Sequence, residues 1–199
     1  MTEARKRIVV LISGRGSNMA ALVDAAKAPD YPGEVVAVLS DKPDAAGLVF
    51  AAEAGIETAA FPRKAYGSKA EHEAAFVAAI DHAQPDLVCL AGFMRVLSAD
   101  FVTRYAGRLI NIHPSLLPKF PGLDTHARAI EAGETRHGCT VHFVTKEVDA
   151  GPVVAQAPVP VEPDDTPETL ASRVLMEEHK LYPKAVATVL RNLSRNVIR

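Results

Sequence analysis

The sequence predicts an α/β protein built on a doubly wound, mostly parallel sheet with a mixed or antiparallel edge towards the C-terminus. Three observations carry this expectation. The apolar, largely β-branched runs Ile8–Ile12, Val35–Leu39 and Leu87–Leu90 lack the alternation of a half-exposed strand, so they read as strands buried on both faces. Segments with helical spacing separate them, and that alternation implies a parallel sheet with helices on both faces. In the last third, Thr140–Val144 and Val153–Val161 follow one another with no helix between, which implies antiparallel pairing.

Each element has its own local signals. After Ile8–Ile12 comes Ser13-Gly14-Arg15-Gly16-Ser17-Asn18, then helical spacing over Met19–Lys27, with Ser17 or Asn18 as a suitable N-cap. Pro29–Gly33 is a turn before the second strand. Ala45–Ala54 is a helix closed by Gly55 as its C′ residue. Ile56–Phe61 is a short strand ended by Pro62. Ser68–Ala83 is an alanine-rich helix closed by Gln84-Pro85, and Ser98 can cap a helix through Tyr105. Leu109–Ile112 is a strand stopped by Pro114, which has no N–H to continue a ladder. Thr125–Ala132 is a helix stopped by Gly133. Thr166 begins half a capping box, since Thr169 stands where Glu or Gln would complete it. Glu168 in that first turn suits the helix dipole, and the final helical pattern runs to Tyr182 and resumes after Pro183.

The bulk numbers narrow the function classes. At 199 residues, with 48% hydrophobic and 23% charged content, the chain reads as one ordinary globular domain spanning 1–199. A net charge of −2 argues against a general nucleic-acid surface. No apolar run approaches a membrane span. Arg5-Lys6-Arg7 precedes an apolar run too short for a signal-peptide core. Cys89 and Cys139 lie in apolar surroundings without a Cys-x-x-Cys pattern, so they read as buried free thiols, and the chain as cytoplasmic. Metal binding is not expected. No zinc-type spacing occurs, and His137 and His142, an odd number of residues apart, would face opposite sides of a regular strand.

Three segments follow strands at their carboxyl ends, where such sheets gather ligands: the Gly14–Asn18 turn, the Gly92–Leu97 turn and the loop after His113. Gly14-x-Gly16-Ser17-Asn18 opens a helix, so its backbone N–H groups and helix dipole suit an anion. Met19 stands where a dinucleotide fingerprint has its third glycine, and no P-loop Lys-Ser/Thr follows. A single phosphate therefore fits best, while a plain tight turn would look the same. Asn111 and His113, two apart on a strand, emerge on one face. An amide donor and a cationic ring beside a carbonyl would stabilise an oxyanion. Taken alone, the histidine reads first as a strand-end cap. Asp149, in the turn Val148–Pro152, could hold the ring charged and pass a proton through water, or simply favour a turn.

Taken together, Ile12–Asn18, Leu90–Leu97, Asn111–Pro118 and Asp149–Pro152 resemble the phosphoribosylglycinamide formyltransferases, within the folate-dependent formyltransferase family. The resemblance runs from Arg7 to about Pro183, and Asn-x-His-Pro-Ser-Leu-Leu-Pro is its most specific run. It implies a Rossmann-like formyltransferase fold with a phosphate-binding N-terminal half and a folate-binding C-terminal half. Gly16, Ser17 and Asn18 would hold the ribose phosphate, and Glu178 the ribose hydroxyls. Met94, Arg95, Val96, Leu97, Asn111 and the Thr145–Asp149 loop would line the folate cleft, with Lys69 near the folate tail where relatives often carry arginine. Asn111, His113 and Asp149 would be catalytic.

The implied reaction moves a formyl group from 10-formyltetrahydrofolate, as co-substrate, to the amine of 5-phosphoribosylglycinamide. The implied partners are these two small molecules, without nucleic acid or membrane, and the chain would be a monomer or homodimer. Leu175, one turn before Glu178, and Asp124, where some relatives have histidine, depart from the pattern. A formyltetrahydrofolate deformylase shares the trio but normally carries an N-terminal regulatory domain, whereas about seven residues precede the first strand here. A non-catalytic nucleotide-binding module would leave Asn111, His113 and Asp149 without a task.

Overall fold

The computed structural model describes residues 4–195; the outermost parts of the expected domain, 1–3 and 196–199, lie outside the described residues. Among those described, the strands are β1 (Lys6–Ile12), β2 (Gly33–Ser40), β3 (Glu57–Ala60), β4 (Leu87–Leu90), β5 (Leu109–His113), β6 (Arg136–Phe143) and β7 (Val153–Pro160). The helices are α1 (Ser17–Ala25), α2 (Ala46–Glu53), α3 (Lys69–Ala83), α4 (Ala99–Arg104), α5 (Thr125–Glu131) and α6 (Pro167–Arg195), with a 3₁₀ turn at Arg63–Ala65. The strands form one sheet in the order β3-β2-β1-β4-β5-β6-β7. Pairing is parallel from β3 through β5 and antiparallel for β5–β6 and β6–β7. This is the Rossmann-like, mostly parallel sheet with an antiparallel C-terminal edge.

β1 shows why the central strands carry unbroken apolar runs. Ile8, Val10 and Ile12 pack on one face with Leu22 of α1 and Val186 and Leu190 of α6. Val9 and Leu11 pack on the other with Phe76 and Ile80 of α3 and Phe101 of α4. Both faces are dry, so no polar residue can alternate in.

Several boundaries differ from the sequence reading. Neither Ser17 nor Asn18 caps α1. Gly16 occupies the cap in the left-handed region (φ 70°) and no side chain caps the helix. β6 starts at Arg136 rather than Thr140, because pairing of Arg136–Cys139 with β7 extends a segment that has no apolar pattern of its own. The half-formed box at Thr166 does close: Thr169 N–H donates to the Thr166 hydroxyl (3.3 Å) and Thr166 N–H to the Thr169 hydroxyl (2.9 Å).

α6 continues through Pro183 instead of breaking there. The proline removes one helical N–H, but both sides of it are tied down. Tyr182, fully buried, donates its hydroxyl to Leu90 O (2.8 Å), and Tyr31 donates to Pro183 O (2.8 Å). The Tyr182 bond joins α6 to the carboxyl end of β4, beside the candidate site. Replacing Tyr182 by phenylalanine keeps the ring and removes the bond. Equilibrium denaturation should then show a loss of about 1 kcal/mol, and an unchanged midpoint would show that this bond does not hold the helix.

Candidate active site

The sheet reverses its winding between β1 and β4, since chain progression runs one way through β2 and β3 and the other through β4 and β5. Ligands of such sheets lie in the crevice at that point. Register fixes what reaches it. Leu11 pairs with Leu90, and Leu90 pairs with Asn111, so β1, β4 and β5 end side by side. The glycine turn, the Ala91–Leu97 loop and the His113 loop therefore open together. The first two are also bonded to each other: Ser13 N–H donates to Gly92 O (3.2 Å) and Met94 N–H to the Ser13 hydroxyl (2.8 Å).

Asn111, His113 and Asp149 meet in one cluster. The Asp149 carboxylate lies 3.4 Å from His113 Nδ1 and 3.6 Å from His142 Nε2, and accepts from Gly122 N–H at 2.8 Å. His113 Nε2 faces Phe120 O at 3.0 Å. His113 is thus buried between a carbonyl and a carboxylate, and a neutral ring can donate to only one of them. Donors on both ring nitrogens would suit both neighbours. The Nδ1 contact with Asp149 is an ion-pair distance rather than a hydrogen bond, which leaves an N–H on that side able to meet a ligand. Asn111 Nδ2 faces His142 Nε2 at 3.3 Å.

The backbone around His113 is held off its relaxed geometry. Phe120 (φ 54°) and Asp149 (φ 53°) both lie in the left-handed region, at roughly 1–3 kcal/mol for a bulky residue such as Phe120. Arg128 braces the loop by donating to Pro121 O (2.6 Å) and Leu123 O (3.0 Å) while its guanidinium covers the Phe120 ring. Deeper in, the Thr140 hydroxyl donates to Ser115 O (2.6 Å) and accepts from Leu117 N–H (3.1 Å). These contacts fix the start of the proline loop to β6.

The glycine turn meets two geometric demands. A Cβ on Gly16 would stand 3.0 Å from the Gly47 Cα, in a backbone conformation that already disfavours side chains. α2 therefore abuts the turn, and Gly47 N–H donates to Gly14 O (3.1 Å). The first bond of α1 is Ala20 N–H to Gly16 O (2.8 Å), so the N–H groups ahead of it have no acceptor within the helix, as an anion site requires. The Asn18 side chain is turned away from that role: its Nδ2 donates to Glu178 Oε2 (2.6 Å). Asn18 Oδ1 is buried without a partner. Burial pushes the Glu178 carboxyl above its ordinary range, and the Asn18 bond pulls it partly back. Leu175 is half-buried one turn earlier on α6. Asp124 precedes α5 in the left-handed region without capping it by its side chain.

Beyond the β4 loop lies a cleft of about 400 Å³ lined by Met94, Arg95, Val96, Leu97, Lys69 and aromatic residues including Phe76 and Phe93. Met94 and Val96 are two of the most exposed large apolar side chains of the described residues, at 67% and 70%. Arg95 Nε donates to Asp41 (2.7 Å), which anchors this loop to the end of β2. Thr145 is not part of this cleft; it borders a separate hollow with Phe143, Val144, Lys146 and Glu147. No group of three or more histidine, cysteine, aspartate or glutamate side chains among the described residues is placed to hold a metal ion. No helix among them is long and apolar enough to cross a membrane.

Two residues of this region escaped the sequence reading. Arg63 lines the cleft beside Lys69, and nothing in the loop after β3 marked it. His142 had been weighed only as a metal ligand. The usable signal was its position on an antiparallel neighbour of the Asn111 strand, opposite Asn111. His137 belongs elsewhere, against His126 and Phe120, where burial and His126 push its pKa down to about 4.

Known proteins of one kind match this chain. The family model described as formyl transferase matches residues 6–186. The phosphoribosylglycinamide formyltransferase of Escherichia coli K12 is 51% identical over 180 residues, covering 90% of this chain and 85% of that protein. The crystal structure of the enzyme of that name from Brucella melitensis superposes with a TM-score of 0.91 at 57% identity, covering 94% of this chain and 96% of that one. The trifunctional purine biosynthetic protein adenosine-3 of Drosophila melanogaster is 47% identical over 192 residues, which is 96% of this chain but 14% of that protein. With residues 6–186 matched, the chain belongs to the formyl transferase family.

Proposed function

We propose that this chain is a phosphoribosylglycinamide formyltransferase, moving a formyl group from 10-formyltetrahydrofolate to the amine of 5-phosphoribosylglycinamide in purine biosynthesis. The observation that carries the reading is the environment of His113: a ring between the Phe120 carbonyl and the Asp149 carboxylate, at the end of the strand that also presents Asn111. That environment sets a ring nitrogen where an acyl oxygen would gain charge.

The chemistry follows from those groups. The glycinamide nitrogen attacks the formyl carbon, and the carbonyl oxygen becomes an oxyanion. The His113 Nδ1–H and an Asn111 amide N–H donate to it. The attacking nitrogen loses a proton, the folate N10 gains one, and the bond between the formyl carbon and N10 breaks. Asp149 supports the imidazolium and relays that proton through water. Proximity of two substrates in one crevice supplies much of the remaining acceleration.

The binding roles are assigned on the same basis. The N–H groups of Gly16, Ser17 and Asn18 take the phosphate. Glu178 and the unpartnered Asn18 Oδ1 accept ribose hydroxyls, which answers an otherwise orphaned buried acceptor. Met94–Leu97 flank the flat pterin, and Lys69 meets the anionic tail. Among the described residues no metal cluster competes with this assignment. The unpaired Cys89 and Cys139 agree with a reducing compartment, and we place the reaction in the cytoplasm.

Folate release measured with and without the ribonucleotide tests the activity. Release only with both substrates supports it; equal release without the ribonucleotide indicates a deformylase, and none in either case indicates a binding module. His113→Ala and Asn111→Ala should each lower kcat by about 10²–10³-fold with circular dichroism unchanged, and a fully active His113→Ala protein would remove that ring from the mechanism. Glu178→Gln should act in two directions at once. Loss of a charged acceptor raises KM for the ribonucleotide by about tenfold or more. Loss of a buried charge leaves the thermal midpoint at or above that of the parent. A lower midpoint with unchanged KM would reverse the assignment.

A further inference from the structure

We propose that His142 is a positioning residue: its Nε2 lone pair fixes the orientation of the Asn111 amide, so that an N–H and not the carbonyl oxygen meets the reacting formyl group. The inference rests on the activity proposed above and assigns a residue that the Asn111–His113–Asp149 trio leaves out.

The tautomer follows from the neighbours. His142 Nδ1 lies 3.0 Å from Phe143 O, which can only accept, so Nδ1 carries the hydrogen. In a neutral ring Nε2 is then bare. That bare nitrogen is 3.3 Å from Asn111 Nδ2, across the β5–β6 pair where the two residues stand opposite each other. If the Asn111 amide were turned over, its oxygen would set one lone pair against another. The ring therefore admits one orientation of the amide. It takes one of the two Nδ2 hydrogens and leaves the second for a ligand.

The ring is suited to remaining neutral. It is 2% exposed, and burial lowers its pKa, with His113 acting in the same direction. The Phe143 carbonyl and the Asp149 carboxylate pull the other way. Asp149 Oδ1 stands 3.6 Å from Nε2, too far for a hydrogen bond that would hold a proton there. Each imidazole beside Asp149 thus has a distinct duty: His113 offers a donor, and His142 offers a lone pair.

An amide free to turn over would place an acceptor where the oxyanion forms, so the loss should fall on kcat. In His142→Phe the ring volume stays and the acceptor goes. We expect kcat to fall by about 10–100-fold while KM for both substrates changes less than about twofold. His142→Gln restores an acceptor oxygen and should recover most of the rate. In an Asn111→Ala background, His142→Phe should cost nothing further, because the group it orients is gone. Equal losses in both backgrounds, or no recovery with glutamine, overturn the proposal while leaving the formyl-transfer reading intact. Inactivity of the parent chain with both substrates overturns that reading instead. The ligand-free protein gives a second, activity-independent readout. Imidazole ¹⁵N–¹H correlation spectra at neutral pH should show Nδ1 of His142 protonated and Nε2 bare; a protonated Nε2 removes the acceptor and with it the proposal.

Discussion

The Asp149 carboxylate faces two imidazole rings and a backbone N–H at once, and the surrounding chain is arranged to keep it there. A buried carboxylate is stable only if its oxygens are satisfied. Here Gly122 N–H satisfies one of them, and that N–H belongs to the loop that also carries Phe120 O to His113. Asp149 and the proline loop therefore fix each other. The left-handed backbone at Asp149 and Phe120 is the local cost of that arrangement, and the Arg128 brace and the Thr140 hydroxyl help to offset it.

Around this carboxylate, the sheet does the coarse positioning and a few hydrogen bonds the fine positioning. Parallel pairing aligns Leu11, Leu90 and Asn111, so three loops leave the sheet at one level. Ser13 then links the glycine turn to the β4 loop through both its N–H and its hydroxyl. The glycine turn and the cleft beyond the β4 loop are thereby held at a set separation. A transfer between two bound molecules needs that, because a misplacement of about 1 Å can cost on the order of 10² in rate.

The fold was readable in the sequence wherever burial alone decides structure. β4 was placed to the residue because Leu87–Leu90 is apolar on both faces, and α3 because Ser68 caps it through Glu71 N–H. What escaped depends on partners distant in sequence. The start of β6 is set by β7, and the passage of α6 through Pro183 by Tyr31 and by the anchored Tyr182. The same division holds at the site. Asn111 and His113 share a strand, so their common face could be read directly. Asp149 was tied to them by family pattern and not by spacing. His142 could not be placed, since an odd separation from His137 says nothing about what lies across the next strand.

The two halves of the crevice differ in how much bonding they complete before any ligand arrives, and that difference bears on which kinetic constant each controls. The Asn111–His142–Asp149–His113 cluster is internally partnered, with orientations set in advance. Groups so preorganised reorganise little as charge develops, and their contribution appears in kcat. Beside the glycine turn Asn18 Oδ1 lacks a partner and Glu178 is a carboxyl that burial disfavours in its charged form. A ribose hydroxyl donating to them would relieve both deficits on binding, equally in ground and transition states, and such uniform binding governs KM. On the proposed assignment, catalytic strength and substrate affinity would be carried by separate sets of polar groups.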